Sequence, residues 1–389
     1  MCVSPGDTCS DDGGVIDDAT ELVDMMTIDA PQCADPDVNQ WVEQLPITAS
    51  TNLTQIVVLD GDHDNIPDII ALDTPTSISF FGGNGDGSFG PRMLVMAAST
   101  GSIVRKLIVG DFNHDGRRDD LVALQTGATT ALVRLISRGD GTYTATEFPL
   151  STNSADIGNA GDVDGDGRED VMLLYAGSDA RLQVYLQMDT QPYWTEGVMM
   201  ATNTQATSMF VGRVNGDALT DVVVTMPGVN QVGLHVGTIE NATYALAGIS
   251  ITAIQNGVVQ AVAGQLNAAG ARAIVTVSTV DSSITYREIT GVSGTTGGDT
   301  HAVGSQPKAV ILANVVGDAL PDIITADGGS DTFTVLRNQN GAFVSSAMPT
   351  STSHPIDLVA GDFDRDGRLD VAVANASNQI RVFLNKCLQ

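Results

Sequence analysis

Basic residues are scarce in this chain: 18 Lys and Arg stand against 47 Asp and Glu, a formal net charge of −29 over 389 residues. A surface of that sign repels phosphate backbones and anionic membranes, which argues against nucleic acid as a partner. No apolar run approaches the ~18 residues of a membrane span, so no transmembrane segment is expected. Helical periodicity is missing as well, apart from a short candidate at 19–28. Aromatics make up only 5% of the chain, which suits a core of thin, sandwiched sheet faces rather than one large interior. His235, His301 and His354 show no zinc spacing, and there is no His-Glu-x-x-His, Gly-x-Ser-x-Gly or phosphate-binding glycine loop. A catalytic set is therefore lacking, and a non-enzymatic role is expected.

What the chain has instead is one acidic loop, repeated. The clearest copies are Asp162-x-Asp164-x-Asp166-Gly167-x-x-Asp170 and Asp362-x-Asp364-x-Asp366-Gly367-x-x-Asp370. Close to them are Asp60-x-Asp62-x-Asp64-Asn65-x-x-Asp68 and Asp111-x-Asn113-x-Asp115-Gly116-x-x-Asp119. Worn copies open at Arg213, Gln265 and Asn314, so successive copies are 51, 51, 51, 52, 49 and 48 residues apart. A period near ~50 residues is the mark of a propeller or another array.

The loop chemistry points to Ca²⁺, a hard cation that takes ~6–8 oxygen ligands. Carboxylates at positions 1, 3 and 5 turn inward, the backbone carbonyl of position 7 (Ile66, Arg117, Arg168, Arg368) adds a ligand, and the Asp at position 9 closes the shell. Gly or Asn at position 6 relieves a backbone that needs positive φ. A helix–loop–helix hand requires Glu at position 12, where this chain has Ala71, Val122, Leu173 and Val373. About four sites are expected, in repeats 1, 2, 3 and 7. The other three loops keep the turn but lose ligands: Arg213 puts a cation at position 1, Ala218 and Ala319 replace the glycine, and Ala269 and Ala273 fill ligand positions.

Around each loop four short strands recur, with Gly-Asp-Gly or Asn-Gly turns before the last of them. This predicts an all-β fold, a seven-bladed β-propeller of four-stranded antiparallel blades. Gly110, Gly161, Gly212, Gly264 and Gly361 precede position 1, as innermost strands crowded at an axis require. The chain ends at the third strand of its last repeat, and Trp41 precedes Asp60 by the same 19 residues that separate Phe343 from Asp362. The N-terminal strand should therefore complete the last blade and close the ring.

The stretches Gly110–Asp119 and Gly361–Asp370, with Gly83–Phe89, resemble the FG-GAP/VCBS repeat family, the blades of integrin α-chain heads and of many bacterial surface proteins. The resemblance covers 41–389. It implies a propeller with calcium between the first and second strands, carried here by the complete loops only, and it makes adhesion an expected role.

Residues 1–40 hold ten acidic residues and no Lys or Arg, the composition of a solvated tether. Cys2 is either a lipid-anchor cysteine of a trimmed lipoprotein or a partner for Cys9. Cys33 and Cys387 lie near chain ends that meet in a closed ring, so a Cys33–Cys387 disulfide is expected, and with it an extracellular or cell-surface location. The expected function is a monomeric, calcium-binding module for an extracellular protein or glycan. A polysaccharide lyase or hydrolase on the same scaffold, and a multivalent lectin, are the alternatives. Arg138-Gly139-Asp140 falls at a hairpin turn, which explains it without an adhesive role, and His63 and His114, at position 4, should face solvent.

Overall fold

The computed structural model describes residues 39–387, apart from 152–154, 176–179, 202–205, 218, 241–242, 253–254, 291–293, 319 and 350–353. The strands form seven antiparallel sheets. Six run in chain order: blade 1 (55–97), blade 2 (102–149), blade 3 (155–201), blade 4 (208–252), blade 5 (258–302) and blade 6 (307–349). Blade 7 joins Pro355–Gly361, Asp370–Asn375 and Gln379–Cys387 to Asn39–Glu43 from the far end of the chain. The expected ring closure is thus present, with the closing strand starting at Asn39 rather than Trp41.

Trp41 lies opposite Asn385 in that pairing, and its ring meets Phe333 of blade 6 edge-on at 5.5 Å. One fourth-strand aromatic therefore ties the N-terminal strand to two blades at once. Asn39 stands opposite Cys387, while Cys33, like Cys2, Cys9, the acidic tail and the candidate helix at 19–28, lies outside the described residues.

The second strand of each blade is β-branched and apolar because neighbours cover both of its faces. Asp322–Asp327 and Val171 to Tyr175 are buried along their whole length. The core consequently lies between blades. Ile70, Leu72 and Phe80 of blade 1 pack on Leu107, Leu121 and Val133 of blade 2, and Ile56, Ile69 and Phe81 pack on Ala372 and Val382 of blade 7. Each such side chain contributes roughly 1.5–3 kcal/mol on burial.

First strands touch first strands around the whole ring, including Pro355–Gly361 against Gln55–Leu59. A Cβ added at Gly264 would sit 2.6 Å from Leu312 Cδ1 of the next blade, and one at Gly161 would sit 2.8 Å from Val211 Cγ1. A side chain at either position would have to push the neighbouring blade's methyl group aside. Side chains bridge the same seam: Gln55 pairs through both amide atoms with the Leu107 backbone at 2.9 Å, and Asp357 accepts the Ile56 N–H at 3.0 Å.

Candidate metal centres and the blade clamp

Each acidic loop joins the first strand of a blade to the second. Its first carboxylate folds back over the turn: Asp162 accepts N–H groups from Gly165, Asp166 and Gly167, and Asp362 accepts them from Asp366 and Gly367. Asp111 does the same with Asp115 and Gly116, and Asp60 with Asn65. Position 5 accepts the N–H of position 7, as Asp64 does from Ile66, Asp115 from Arg117, Asp166 from Arg168 and Asp366 from Arg368. Position 6 is left-handed as expected, with φ of 61° at Asn65, 85° at Gly116 and Gly167, and 84° at Gly367. Position 4 is left-handed too, at His63, His114, Gly165 and Arg365. That second requirement was not read from the sequence, although Gly165, Gly216 and Gly317 signal it.

Loops 1, 3 and 7 gather three acids each. In Asp60–Asp62–Asp68, Asp162–Asp164–Asp170 and Asp362–Asp364–Asp370, one carboxylate oxygen per residue lies within 4.8 Å of the others. Burial is the main force acting on the innermost carboxyl: it pushes Asp68 up to about 7 and Asp170 and Asp370 up to about 8, against the backbone N–H groups that favour the anion. Three crowded, partly desolvated acids are a donor set for a hard cation, and the buried Asp60 Oδ1 has no partner among the described residues. In loop 7 the Lys386 ammonium already takes Asp364 and reaches Asp366 Oδ2 at 3.0 Å, so a metal there competes with it.

Loop 2 is built differently. Gly110 pairs with Asp120, whereas Gly161 pairs with Asp170 and Gly361 with Asp370, so this loop is one residue longer. With Asn113 at position 3 it forms no group of three acids among the described residues. Asp119, expected as its closing ligand, bonds instead to Nε2 of His63 in blade 1. His63 is half-buried in that contact, a correction to its expected exposure; His114 is exposed.

The acid that starts the second strand has a further job, which sequence reasoning missed. Asp170 accepts N–H groups from Val163 (3.0 Å) in its own loop and from Gln187 (2.8 Å) at the end of the third strand. Asp68, Asp120, Asp370, Asp221 and Asp322 make the equivalent pair of bonds. In blades 3, 6 and 7 the third-strand residue then reaches back one blade: Gln187 donates to the Phe112 carbonyl, Asn338 to that of Leu266 and Asn385 to that of Val315. Its signal in the sequence is that Asp221 and Asp322 survive where other ligands are lost. Asp217 and Asp318 likewise keep their turn bonds to Leu219 and Leu320 in those worn loops, whose residues 218 and 319 lie outside the described set.

Arg138–Asp140 occupies a tight turn, with Arg138 N–H on the Thr142 carbonyl and Asp140 accepting from Thr142. Trp194, one of the two tryptophans, is 1% exposed and packs on Phe112, a core role. Among the described residues no helix is long and apolar enough to cross a membrane.

Comparison with known proteins agrees with this geometry. Residues 60–122, 162–224 and 314–373 match the FG-GAP-like repeat. No protein of curated function matches the sequence. Among solved structures, BBS1N in its complex with ARL6DN, from crystals soaked with lead, is similar at a TM-score of 0.61 and 10% identity, over 89% of this chain and 97% of that one. The Dos1 propeller is similar at a TM-score of 0.54 and 11% identity, over 87% and 80%. At such identities these two speak for the fold alone. The chain is thus a seven-bladed β-propeller with FG-GAP-like repeats detected in three regions, consistent with an FG-GAP-repeat β-propeller.

Proposed function

We propose that the chain is a calcium-stiffened, non-catalytic binding propeller that works outside the cell or tethered to its surface, engaging a protein or a glycan. The observation that carries this is the gathering of three acids in each of loops 1, 3 and 7 on a closed ring of blades. Calcium held there would be ligated by Asp60, Asp62 and Asp68, by Asp162, Asp164 and Asp170, and by Asp362, Asp364 and Asp370. Its charge would offset a repulsion that the turn alone leaves standing. Loop 2 drops out of the count of four, because Asp119 is held by His63. That BBS1N was crystallised with a protein partner supports the reading of a propeller as a docking platform, without naming a partner for this one.

Elemental analysis after dialysis against micromolar calcium tests the metal. Three calcium ions per chain are expected, two in Asp164→Ala, and still three in Asp119→Ala. An Asp119→Ala protein that loses an ion would return loop 2 to the set and undo the argument from His63. Turnover of an acidic polysaccharide, abolished by one substitution away from the loops, would replace the binding module with the enzyme alternative.

A further inference from the structure

One position of the first strand bridges some blades to the next, and a cavity opens where the bridge is missing. Gln55 donates to the Leu107 carbonyl and accepts its N–H, Gln260 Oε1 accepts the Val310 N–H at 2.8 Å, and Asp357 accepts that of Ile56. By register the same position is Lys106 in blade 2, Ile157 in blade 3 and Ser208 in blade 4: they pair with Leu124, Leu174 and Thr225 as Gln55 pairs with Leu72. Their counterparts of Leu107 are Gly158, Met209 and Ala261. Isoleucine has nothing to bridge with, serine is too short, and lysine offers no acceptor to an N–H. All six residues line one cavity of about 360 Å³, at the small end of the ~300–1,000 Å³ of small-molecule sites.

What this cavity leaves over is donors. Gln260 Oε1 and Asn159 Oδ1 are taken by the Val310 and Ala160 N–H groups, so their amide nitrogens keep no acceptor among the described residues. Arg118 gives its charge to Glu169, and its buried Nε has no partner. The Lys106 ammonium has neither a hydrogen bond nor an ion pair among the described residues. Burial pulls it below the ordinary lysine range, and the attraction of Asp357 offsets only part of that. Each unbridged backbone N–H and carbonyl is neutral as a pair, so the surplus is hydrogen-bond donors and one positive charge. A dianion would find no second free cation there, and Asp357 would repel it. Val57, Ile108, Phe210 and Val262 make the rest of the wall apolar. We propose that this axial cavity binds a small organic monocarboxylate. Its carboxylate takes the Gly158 N–H as the Gln55 amide oxygen takes that of Leu107, with Lys106 as counter-ion and the hydrocarbon body on the apolar wall.

The test is calorimetric titration of the full chain with butyrate, butyramide, chloride and inorganic phosphate. Saturable binding of butyrate is expected, with the other three each at least about tenfold weaker. Lys106→Gln installs the residue that bridges blades 1 and 2, so it should close the seam on Gly158, abolish butyrate binding and leave the melting temperature equal or higher. Lys106→Met should lose the binding without gaining the bridge. Absent butyrate binding, unchanged binding in either variant, or chloride or phosphate binding as tightly as butyrate would each overturn the proposal. The cavity wall contains none of the acids assigned to calcium, so its failure would leave the metal reading standing.

Discussion

Stripping calcium from the protein should lower its melting temperature by on the order of 10 °C. Each of the three acid groups gathers carboxylates that burial and mutual repulsion make costly, and the proposed calcium would bind the folded loop far better than the unfolded chain. At a hundredfold excess over the dissociation constant one site adds ~2.7 kcal/mol, so three add roughly 8 kcal/mol. Loops 7 and 1 flank the seam at which the N-terminal strand Asn39–Glu43 completes the ring. Loss of metal should therefore loosen the closure before it touches blades 4 to 6. Loop 7 should respond least of the three, because Lys386 supplies a replacement cation to Asp364. Melting curves in calcium and in EDTA measure the effect. Coincident curves would mean that the loops are acidic turns and nothing more.

Asp322→Ala should cost about 3–5 kcal/mol with or without calcium. Its carboxylate is 0% exposed and accepts N–H groups from Val315 (2.9 Å), Val316 (3.1 Å) and Asn338 (2.8 Å). Alanine leaves those donors buried with no acceptor and frees the end of the third strand, from which Asn338 reaches the Leu266 and Pro321 carbonyls. Asp322→Asn keeps one acceptor oxygen and should lose about half as much. Burial raises this carboxyl from 3.8 to about 7 in the folded chain. A raised folded value contributes stability that is full below the unfolded value and is lost as pH rises through about 7, so the urea titrations are compared at one pH. A loss under about 1 kcal/mol would remove the clamp from the account.

Much of this was legible because repetition amplifies weak local signals. Seven loops in phase gave the blade count, the glycines before position 1 gave the crowded axis, and the phase of Trp41 gave the closing strand to within two residues. Lost to the sequence were contacts between residues in different blades. Nothing near His63 announces Asp119, 56 positions away, and nothing near Asn385 announces the Val315 carbonyl. The extra residue of loop 2 was hidden by two adjacent acids: Asp119 keeps the spacing of the motif, while Asp120 takes the strand position. Metal chemistry alone accounts for an acid at position 9, so its second role shows only where the metal motif has decayed, at Asp221 and Asp322.

Loops 1, 3 and 7 are proposed to hold calcium while the worn loops stand without it. Hydrogen exchange followed by peptide mass spectrometry, with and without calcium, tests it loop by loop. Calcium should slow exchange in peptides covering 60–68, 162–170 and 362–370, and leave those covering 213–221, 265–273 and 314–322 unchanged. Slowing spread evenly over all seven loops, or none in the first three, would contradict the account.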